Sequence, residues 1–563
     1  MAPSGEPPYL AIAARKQAEQ KSRIPKEWLL DQKFVDPPQK NVLHIPRASG
    51  ILTDKELHIT ESYSAVALTS AIAKNELTAL AVTTAFCKRA AIAQQLTNCL
   101  TEIMFEDAIA RAKWLDSEFQ KTGKVVGPLH GLPISLKDSF KVKGYDASIG
   151  IASLAFNPAT QNSVLVDILL DLGAVVYVKT NIPQTLMALD SHNHLFGRTL
   201  NPRNRDVTAG GSSGGEGALI AMKGSILGVG TDVGGSIRIP AMCNGLVGVK
   251  PSVGRVPFMG QEGGGRPGMG GLGMQACAGP LGRDVSDCEF FLRTLADAKP
   301  WEQDPAVVFG AFDSQGSMSR KPIIGVLRSD GIVRPLPPIA KVLDETSHAL
   351  RTAGVEVVEI PNDVFKKCNS LANKFFGIDG ANFVLDLLEK TGEPLSPWLQ
   401  NKVARKEQVE VNTLASLRAE REELEREMLG VWRTGDGRVV DVVVCPVAGH
   451  PTPGVDGWNG VGYTSSWVLL DCAAGTIPVR DFSHSDPSLE FKESETVLGN
   501  SWDEVNRGMW NGGKVDRQMY LDTTLCVQVV APRLQEKRLV EGMKLVEDAV
   551  ARGKEGGKRE MKL

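Results

Sequence analysis

Three residues, in two glycine-rich motifs and one apolar run, have the types and spacing needed for nucleophilic catalysis. Ser212 lies in the motif GGSSGGEGA, Ser236 lies in GTDVGGSIRIP, and Lys137 lies near the end of GLPISLKD. A serine hydroxyl is a weak nucleophile until a base removes its proton, and that base is held in turn by a third group. The serines and the lysine together predict a site for attack on a carbonyl carbon.

The glycines beside the serines suit the close backbone approach that such a site requires. Glycine adopts conformations that are closed to residues with a Cβ atom, and consecutive N–H groups beside Ser236 can converge on a developing oxyanion. We expect the oxyanion donors to be the N–H groups of Val233, Gly234, Gly235 and Ser236. Taken alone, GGSSGG is typical of a flexible turn. A phosphate-binding loop fits less well, since no GKS or GKT follows the glycines.

The base in this constellation is predicted to be a lysine and not a histidine. His192 and His194 are the histidines nearest in sequence to the glycine motifs, where surface or hydrogen-bonding roles are expected of them. No GxSxG elbow introduces a Ser-His-Asp triad. Lys137 follows a short apolar run that reads as a buried strand, and burial favours the neutral amine that a base requires. The alternative is an exposed lysine at a strand end, paired with Asp138.

Polar neighbours of the serines are expected to fix the geometry of the loops, because a preorganised site needs supporting contacts. Ser213, Asp232 and Arg238 are given this supporting role. Glu216 either caps the helix that begins beside Ser212 or contacts the site. Cys243 is interpreted as a small buried hydrophobic residue.

Composition indicates a large globular protein with ample material for a core. The chain has 563 residues, of which 42% are hydrophobic and 23% charged, and its formal net charge is −3. This balance predicts no nucleic-acid partner. The nine cysteines form no CxxC pair, and no apolar run reaches the roughly 18 residues of a membrane span. We therefore expect reduced thiols, no transmembrane segment, no metal site and a cytoplasmic location.

Alternation of predicted strands and helices indicates an α/β fold. The apolar segments 174–178 and 439–446 read as buried strands, and 163–172 reads as a helix between strands. Further helices are expected in the segments 11–20, 25–32, 64–99, 102–122 and 397–433. We predict one large domain at residues 63–550, in which helices cover a mixed sheet. A helical arm at 1–62 precedes it, and a disordered charged tail at 551–563 follows.

The motifs named above resemble those of the amidase signature family of serine hydrolases. The resemblance also rests on PLHGLPISLKD, GLVGVKPSVGR and GPLGRDV, and it extends from about Tyr63 to Val550. It implies that catalysis uses Lys137 as base, Ser212 next to a cis peptide bond, and Ser236 as nucleophile. It also implies that Leu186 and Met187 lie at the substrate cavity, although a pair of apolar residues is by itself more typical of ordinary core.

The resemblance implies hydrolysis of an amide to an acid and an amine, with a small-molecule amide as the binding partner and no cofactor. The chain resembles the fungal acetamidases and general amidases, and GGSSGGEGALI also resembles fatty acid amide hydrolases. Small or aryl amides are favoured, because no membrane anchor is seen. The strand TTLCVQVVAP departs from the family pattern and leaves substrate preference in doubt. Three other functions stay open: a fatty acid amide hydrolase, an amidotransferase subunit of a multi-protein complex, and a non-catalytic binding protein. A homodimer formed through the arm also stays open.

Overall fold

A large mixed sheet lies at the centre of this protein, as described by a computed structural model. The structure describes residues 6–492, 497–512 and 515–560, with the backbone alone for 553–560. Eleven of the described strands form the central sheet, in the order β1-β3-β2-β6-β8-β7-β12-β13-β11-β9-β10. The strands are β1 Leu100–Ile103, β2 Pro133–Lys137, β3 Val175–Thr180, β4 His192–Asn193, β5 Gly197–Arg198, β6 Leu227–Asp232, β7 Val247–Lys250, β8 Cys277–Gly282, β9 Ile323–Val326, β10 Glu356–Glu359, β11 Val442–Cys445, β12 Ala473–Asp481 and β13 Thr524–Ala531.

Helices pack on this sheet and complete the α/β domain. Among the described residues they are α1 Pro8–Ser22, α2 Gln32–Val35, α3 Ile45–Ala48, α4 Asp54–Ser62, α5 Ala65–Ala73, α6 Ala79–Thr97, α7 Phe105–Thr122, α8 Val164–Asp171, α9 Gly214–Ala221, α10 Arg238–Asn244, α11 Val285–Asp297, α12 Pro337–Thr352, α13 Asp363–Phe376, α14 Asn382–Glu389, α15 Val411–Met428, α16 Gly462–Leu469, α17 Ser501–Asn511 and α18 Glu536–Glu560. α7 packs against β3 and α9 against β2 and β6, whereas α12 and α18 pack against β13. The predicted fold class is therefore confirmed: one α/β domain with a mixed central sheet.

Three neighbouring parallel strands carry the sequence motifs to one edge of the sheet. β2 pairs in parallel with β3 on one side and with β6 on the other. All residues of these strands are buried, which explains their nearly continuous apolar and β-branched sequences. Because the carboxyl ends of parallel strands meet at the same edge, Lys137 at the end of β2 lies close to Asp232 at the end of β6.

Tertiary hydrogen bonds shorten two helices that the sequence predicts. The helix expected over 397–433 begins only at Val411, because the preceding N–H groups of Lys406 and Val409 donate to the carbonyls of Gly380 and Ile378. The segment 25–32 forms a 3₁₀ turn at Lys26–Trp28 and no full helix. There, the Gln95 side chain donates to the carbonyl of Trp28 and accepts from the N–H of Leu30.

The last helix runs further than the sequence predicts. α18 continues to Glu560, so residues 551–560 have helical backbone where we expected a disordered tail. Lysine, arginine and glutamate are good helix formers and can extend a helix that packing has already nucleated. Residues 561–563 of the predicted tail lie outside the described residues. No helix in the described ranges is long and apolar enough to cross a membrane.

The N-terminal arm is tied to the domain by a buried ion cluster. Nζ of Lys16, on α1, lies 2.6 Å from a carboxylate oxygen of Glu102 and 2.8 Å from one of Asp146. All three side chains are at least 96% removed from solvent. A lysine from the arm thus compensates two carboxylates of the domain, and α1 packs as part of the folded unit.

Replacing Lys16 with methionine is expected to destabilise the fold by about 3 kcal/mol, since it leaves two buried carboxylates without their cation. Urea denaturation measures the change. Lys21→Met is the matched control, because Lys21 lies on the same helix and is exposed; its effect should stay within about 0.5 kcal/mol. Equal denaturation midpoints for the two variants would contradict a stabilising role of the cluster.

Candidate active site

Lys137 is fully buried at the end of β2 and points into a polar niche. Its Nζ lies 2.7 Å from Oγ of Ser212 and donates to Oγ1 of Thr231 at 2.8 Å. The residue beside it, Asp138, accepts from Thr101 Oγ1 and faces Lys179 at 3.8 Å. The alternative of an exposed lysine paired with Asp138 is therefore wrong.

Burial makes Lys137 a weak base that is partly neutral near neutral pH. Removal from water lowers the pKa of Lys137 to about 7, against the nearby carboxylates of Asp232, Glu216 and Asp138, which raise it. Desolvation disfavours the charged ammonium, and here it outweighs the attraction of three carboxylates. The amine can accordingly accept a proton from a hydroxyl group in contact with it.

Ser212 is presented to Lys137 by a loop that enters α9. Gly210 has a φ of +78°, which a side chain would strain, and the Gly211–Ser212 peptide bond is cis, as the resemblance implies. A Cβ atom on Gly211 would lie 2.6 Å from the carbonyl oxygen of Ala188, so only glycine fits there. The glycines of this motif therefore permit a close backbone approach, and the loop that they form is buried.

Ser236 lies on the loop between β6 and α10, beside the first serine loop. The N–H of Ser213 donates to the carbonyl of Ser236 at 3.2 Å, so main chain joins the two loops directly. Ser236 keeps 5% of its surface accessible, and Ser212 keeps 2%. In the described part of the chain the two serine hydroxyls are not hydrogen-bonded to each other.

A buried ion pair fixes the shape of the Ser236 loop. Arg238 donates from Nε and Nη2 to the two carboxylate oxygens of Asp232, each at 3.0 Å. Burial raises the pKa of Asp232, but the Arg238 charge and hydrogen bonds outweigh this and hold that pKa below its usual value. Arg238 also donates to Oε1 of Gln528, at 2.6 Å, and to the carbonyl of Thr464. Asp232 and Arg238 therefore hold the loop from both ends, the position expected for supporting residues.

One of the four expected oxyanion donors is already paired. The N–H of Gly235 donates to Oδ1 of Asp232 at 2.7 Å, and Gly235 has a φ of +130°. The hydrogen bonds of the described residues leave the N–H groups of Val233, Gly234 and Ser236 without a main-chain or side-chain acceptor. The expectation for Gly235 is thus not met in this structure, and three donors remain.

Leu186, Met187 and Phe376 are the apolar residues whose surroundings bear on the predicted substrate cavity. Leu186 is half-buried in an apolar cluster with Ile149 and Ile182, and Met187 is 44% exposed. The ring of Phe376 lies over Gly234, where a Cβ atom would be 3.1 Å from it. The placement of Leu186 and Met187 at the substrate cavity stays a prediction.

The glycine- and methionine-rich segment after Pro257 reaches the same edge of the sheet. The N–H of Glu262 donates to the carbonyl of Ser139, two residues after Lys137, and Ser139 Oγ donates to the side chain of Gln261. A Cβ atom on Gly264 would lie 2.4 Å from the carbonyl oxygen of Thr185. This loop therefore packs between the residues that follow β2 and the segment that contains Thr185 and Leu186.

The two histidines nearest the glycine motifs and Cys243 pack within the fold. His192 and His194 lie in and beside the β4–β5 hairpin, where their rings contact each other edge to face at 5.6 Å. Burial, together with Arg198, lowers the pKa of His192 to about 4. Cys243 is fully buried, and burial raises the pKa of its thiol well above the usual range. Its interpretation as a small buried residue agrees with both observations.

Sequence reasoning missed three residues that shape the site. Thr231 accepts a hydrogen bond from Lys137, and Gln528 accepts one from Arg238. Thr464 Oγ1 donates to the carbonyl of Gly234. Gln528 carried a signal, since it is the one amide side chain within the apolar strand TTLCVQVVAP. A fully buried amide in an apolar strand needs a polar partner.

The comparisons with known proteins identify an amide-cleaving hydrolase. The model of the family described as Amidase matches residues 81–540, so the chain belongs to this family. It is a hydrolase that acts on amide bonds.

Similar proteins cover nearly the whole chain. An acetamidase of Emericella nidulans is 36% identical over 547 residues, which are 94% of this chain and 95% of that one. An acetamidase of Aspergillus oryzae is 34% identical over 539 residues, covering 94% and 96% of the two chains. Among solved structures, a fatty acid amide hydrolase superposes with a TM-score of 0.85 at 28% identity, over 96% of this chain and 95% of that one.

Proposed function

We propose that this protein hydrolyses carboxylic amides through an acyl-enzyme on Ser236, activated by a relay from Lys137 through Ser212. The observation that carries the proposal is the 2.7 Å contact between Nζ of the buried Lys137 and Oγ of Ser212. A buried lysine with a pKa of about 7 is a suitable base at neutral pH. The second contact in the relay, between the serine hydroxyls, is expected to close when substrate binds, since catalytic hydrogen bonds are often long without substrate.

The protons balance in each step of this mechanism. Lys137 takes the Ser212 proton, Ser212 takes the Ser236 proton, and Ser236 Oγ attacks the amide carbon to form a tetrahedral oxyanion. The relay then returns a proton through Ser212 to the departing amine as the C–N bond breaks. Water attacks the ester in the same way and releases the acid.

Main-chain donors stabilise the oxyanion in this proposal. The N–H groups of Val233, Gly234 and Ser236 are available, whereas Gly235 contributes through its hydrogen bond to Asp232. That bond, with the Asp232–Arg238 pair, keeps the loop preorganised, so no reorganisation is needed as charge develops. Loss of one donor of this kind typically lowers the rate about 100- to 1,000-fold.

Small or aryl amides are the proposed substrates. Support comes from the two fungal relatives, both named acetamidases, which align over more than nine-tenths of the chain. In this proposal Phe376, whose ring lies over Gly234, contacts the acyl group together with Leu186 and Met187, the residues predicted to lie at the substrate cavity. The solved fatty acid amide hydrolase has the same fold, so long-chain amides are the second candidate.

Trapping the acyl-enzyme during turnover of an amide series tests reaction and substrate together. Amides of increasing acyl length and one aryl amide are mixed with the enzyme, quenched in acid and examined by peptide mass spectrometry. We expect an adduct on Ser236 and the highest kcat/KM for short or aryl acyl groups. A sharp optimum of kcat/KM at long acyl chains would make long-chain amides the substrates. An adduct on another residue would overturn the assignment of Ser236 as nucleophile.

Other roles give different results in the same assay. An amidotransferase subunit would need its partner proteins for turnover, and a non-catalytic binding protein would form no adduct. The cytoplasmic location, the homodimer and the boundary between the arm at 1–62 and the domain at 63–550 stay predictions.

A further inference from the structure

Glu216, on α9, is a fully buried carboxyl group that the proposed mechanism does not use. It accepts a hydrogen bond from Ser135 Oγ at 2.6 Å and one from Thr180 Oγ1 at 2.9 Å. A Cβ atom on Gly228 would lie 1.9 Å from Glu216 Oε2, so the carboxyl group fills the space that this glycine leaves open. The group thus lies against three adjacent strands, β2, β3 and β6.

The register of those strands places Glu216 next to Lys137. Ser135 and Lys137 are two residues apart on β2, so their side chains share one face of the sheet. Thr180 is the cross-strand neighbour of Lys137, and Gly228 is the neighbour of Ser135. The carboxyl group held by Ser135 and Thr180 therefore lies on the same face of the sheet as Lys137. Along β2 it lies at the level of Ser135, two residues before the lysine.

Glu216 differs from the other two carboxylates that face Lys137. Asp232 is paired with Arg238, and Asp138 faces Lys179. The described partners of Glu216 are the two hydroxyl groups alone, with Lys137 as the charged group that acts on it. Its remaining titratable neighbours, Cys99 and Tyr177, have pKa values that burial raises, so both are neutral.

We propose that Glu216 is a positioning residue whose negative charge stabilises the ammonium that Lys137 becomes when it takes the proton of Ser212. The proposal rests on the function proposed above and deepens it. Glu216 exchanges no proton with the substrate: the Ser212 proton moves to Lys137 Nζ and later returns through Ser212 to the leaving amine. Burial raises the pKa of Glu216 to about 7, while the hydroxyl hydrogen bonds and Lys137 lower it. The two groups thus titrate in one range, where their charges can support each other.

The test is the pH dependence of kcat/KM for Glu216→Gln, which keeps the shape of the side chain and removes its charge. In the wild type, activity falls on the acidic side as Lys137 becomes protonated. Without the carboxylate the ammonium is less stable and the pKa of Lys137 falls, so this acidic limb should move to lower pH by about one unit. The plateau kcat should fall by up to about tenfold, the factor that corresponds to one pKa unit.

Glu102→Gln is the matched control. Glu102 is also buried with a pKa raised to about 7, but it lies on β1 beside Lys16. The acidic limb of the kcat/KM profile of Glu102→Gln should coincide with that of the wild type. If Glu216→Gln does not fold, Thr180→Val removes one donor from the carboxylate, favours its neutral form and should move the limb in the same direction.

The outcomes separate this inference from the proposed function. A fluorophosphonate probe is applied to wild type first, and labelling on Ser236 establishes the nucleophile independently. If Ser236 is labelled and the acidic limb of Glu216→Gln is unchanged or moves to higher pH, the role of Glu216 is wrong while the mechanism stands. If wild type is not labelled on Ser236, the proposed function itself fails.

Discussion

Replacing Ser236 with alanine is expected to reduce amide hydrolysis by roughly a million-fold, the scale seen when a serine hydrolase loses its nucleophile. The hydroxyl is the only part removed, and the residue is small and almost fully buried, so the fold should persist. Steady-state hydrolysis of a short amide measures the rate. Labelling by a fluorophosphonate probe should disappear together with turnover, because both reactions need the same oxygen.

Ser213→Ala provides the contrast within the same motif. The hydroxyl of Ser213 is fully buried and bonds with the main chain of Thr231, at 3.4 and 3.5 Å, and not with Lys137. Its loss should cost about 1 kcal/mol of stability and change the rate far less than the loss of Ser236. Comparable rates for Ser236→Ala and wild type would refute the acyl-enzyme proposal.

Short-range patterns predicted the buried strands and the positions where the backbone comes close to another group. The run before Lys137 is apolar, and the segment after it contains Asp138, so a buried strand with a polar end was readable from sequence alone. The glycines beside Ser212 and Ser236 indicated where backbone comes close to another group, and the structure has such contacts at Gly211. These features depend on a few consecutive residues, which is why periodicity and residue type suffice.

Contacts between distant segments were beyond the same reasoning. Thr231 meets Lys137 through the parallel pairing of β2 with β6, and Gln528 meets Arg238 from β13, four strands away from β6 in the sheet. Strand order decides both contacts, and strand order is not encoded in local spacing. The paired N–H of Gly235 escaped prediction for a related reason, since it depends on how the loop folds back on the Asp232 carboxylate.

The net charge of a sequence also gives no information on which charged groups are buried. The net charge of −3 says nothing of Lys16, which enters the domain from the arm, or of Glu216, whose carboxyl group lies beside the predicted base. Glutamate near a helix start usually indicates a cap. In this structure the space beside Gly228 instead directs Glu216 inward.

Replacing Lys137 with methionine is expected to lower kcat/KM by about 10,000-fold, the upper range for loss of a general base. Wild-type kcat/KM should rise with pH through about 7, since the amine accepts a proton only when it is neutral and its pKa lies near that value. The variant has no group to titrate there, so its pH profile should lose this limb.

Lys141→Met is the matched control for the loss of Lys137, because Lys141 lies four residues further on, is partly exposed and pairs with Glu262. It should keep both the wild-type rate and the limb near pH 7, since a surface charge contributes little to a buried titration. Methionine occupies a similar volume to lysine, so thermal unfolding should show that both variants fold. A limb that persists in Lys137→Met would mean that another group is the base, and the relay from Lys137 to Ser212 would then have to be abandoned.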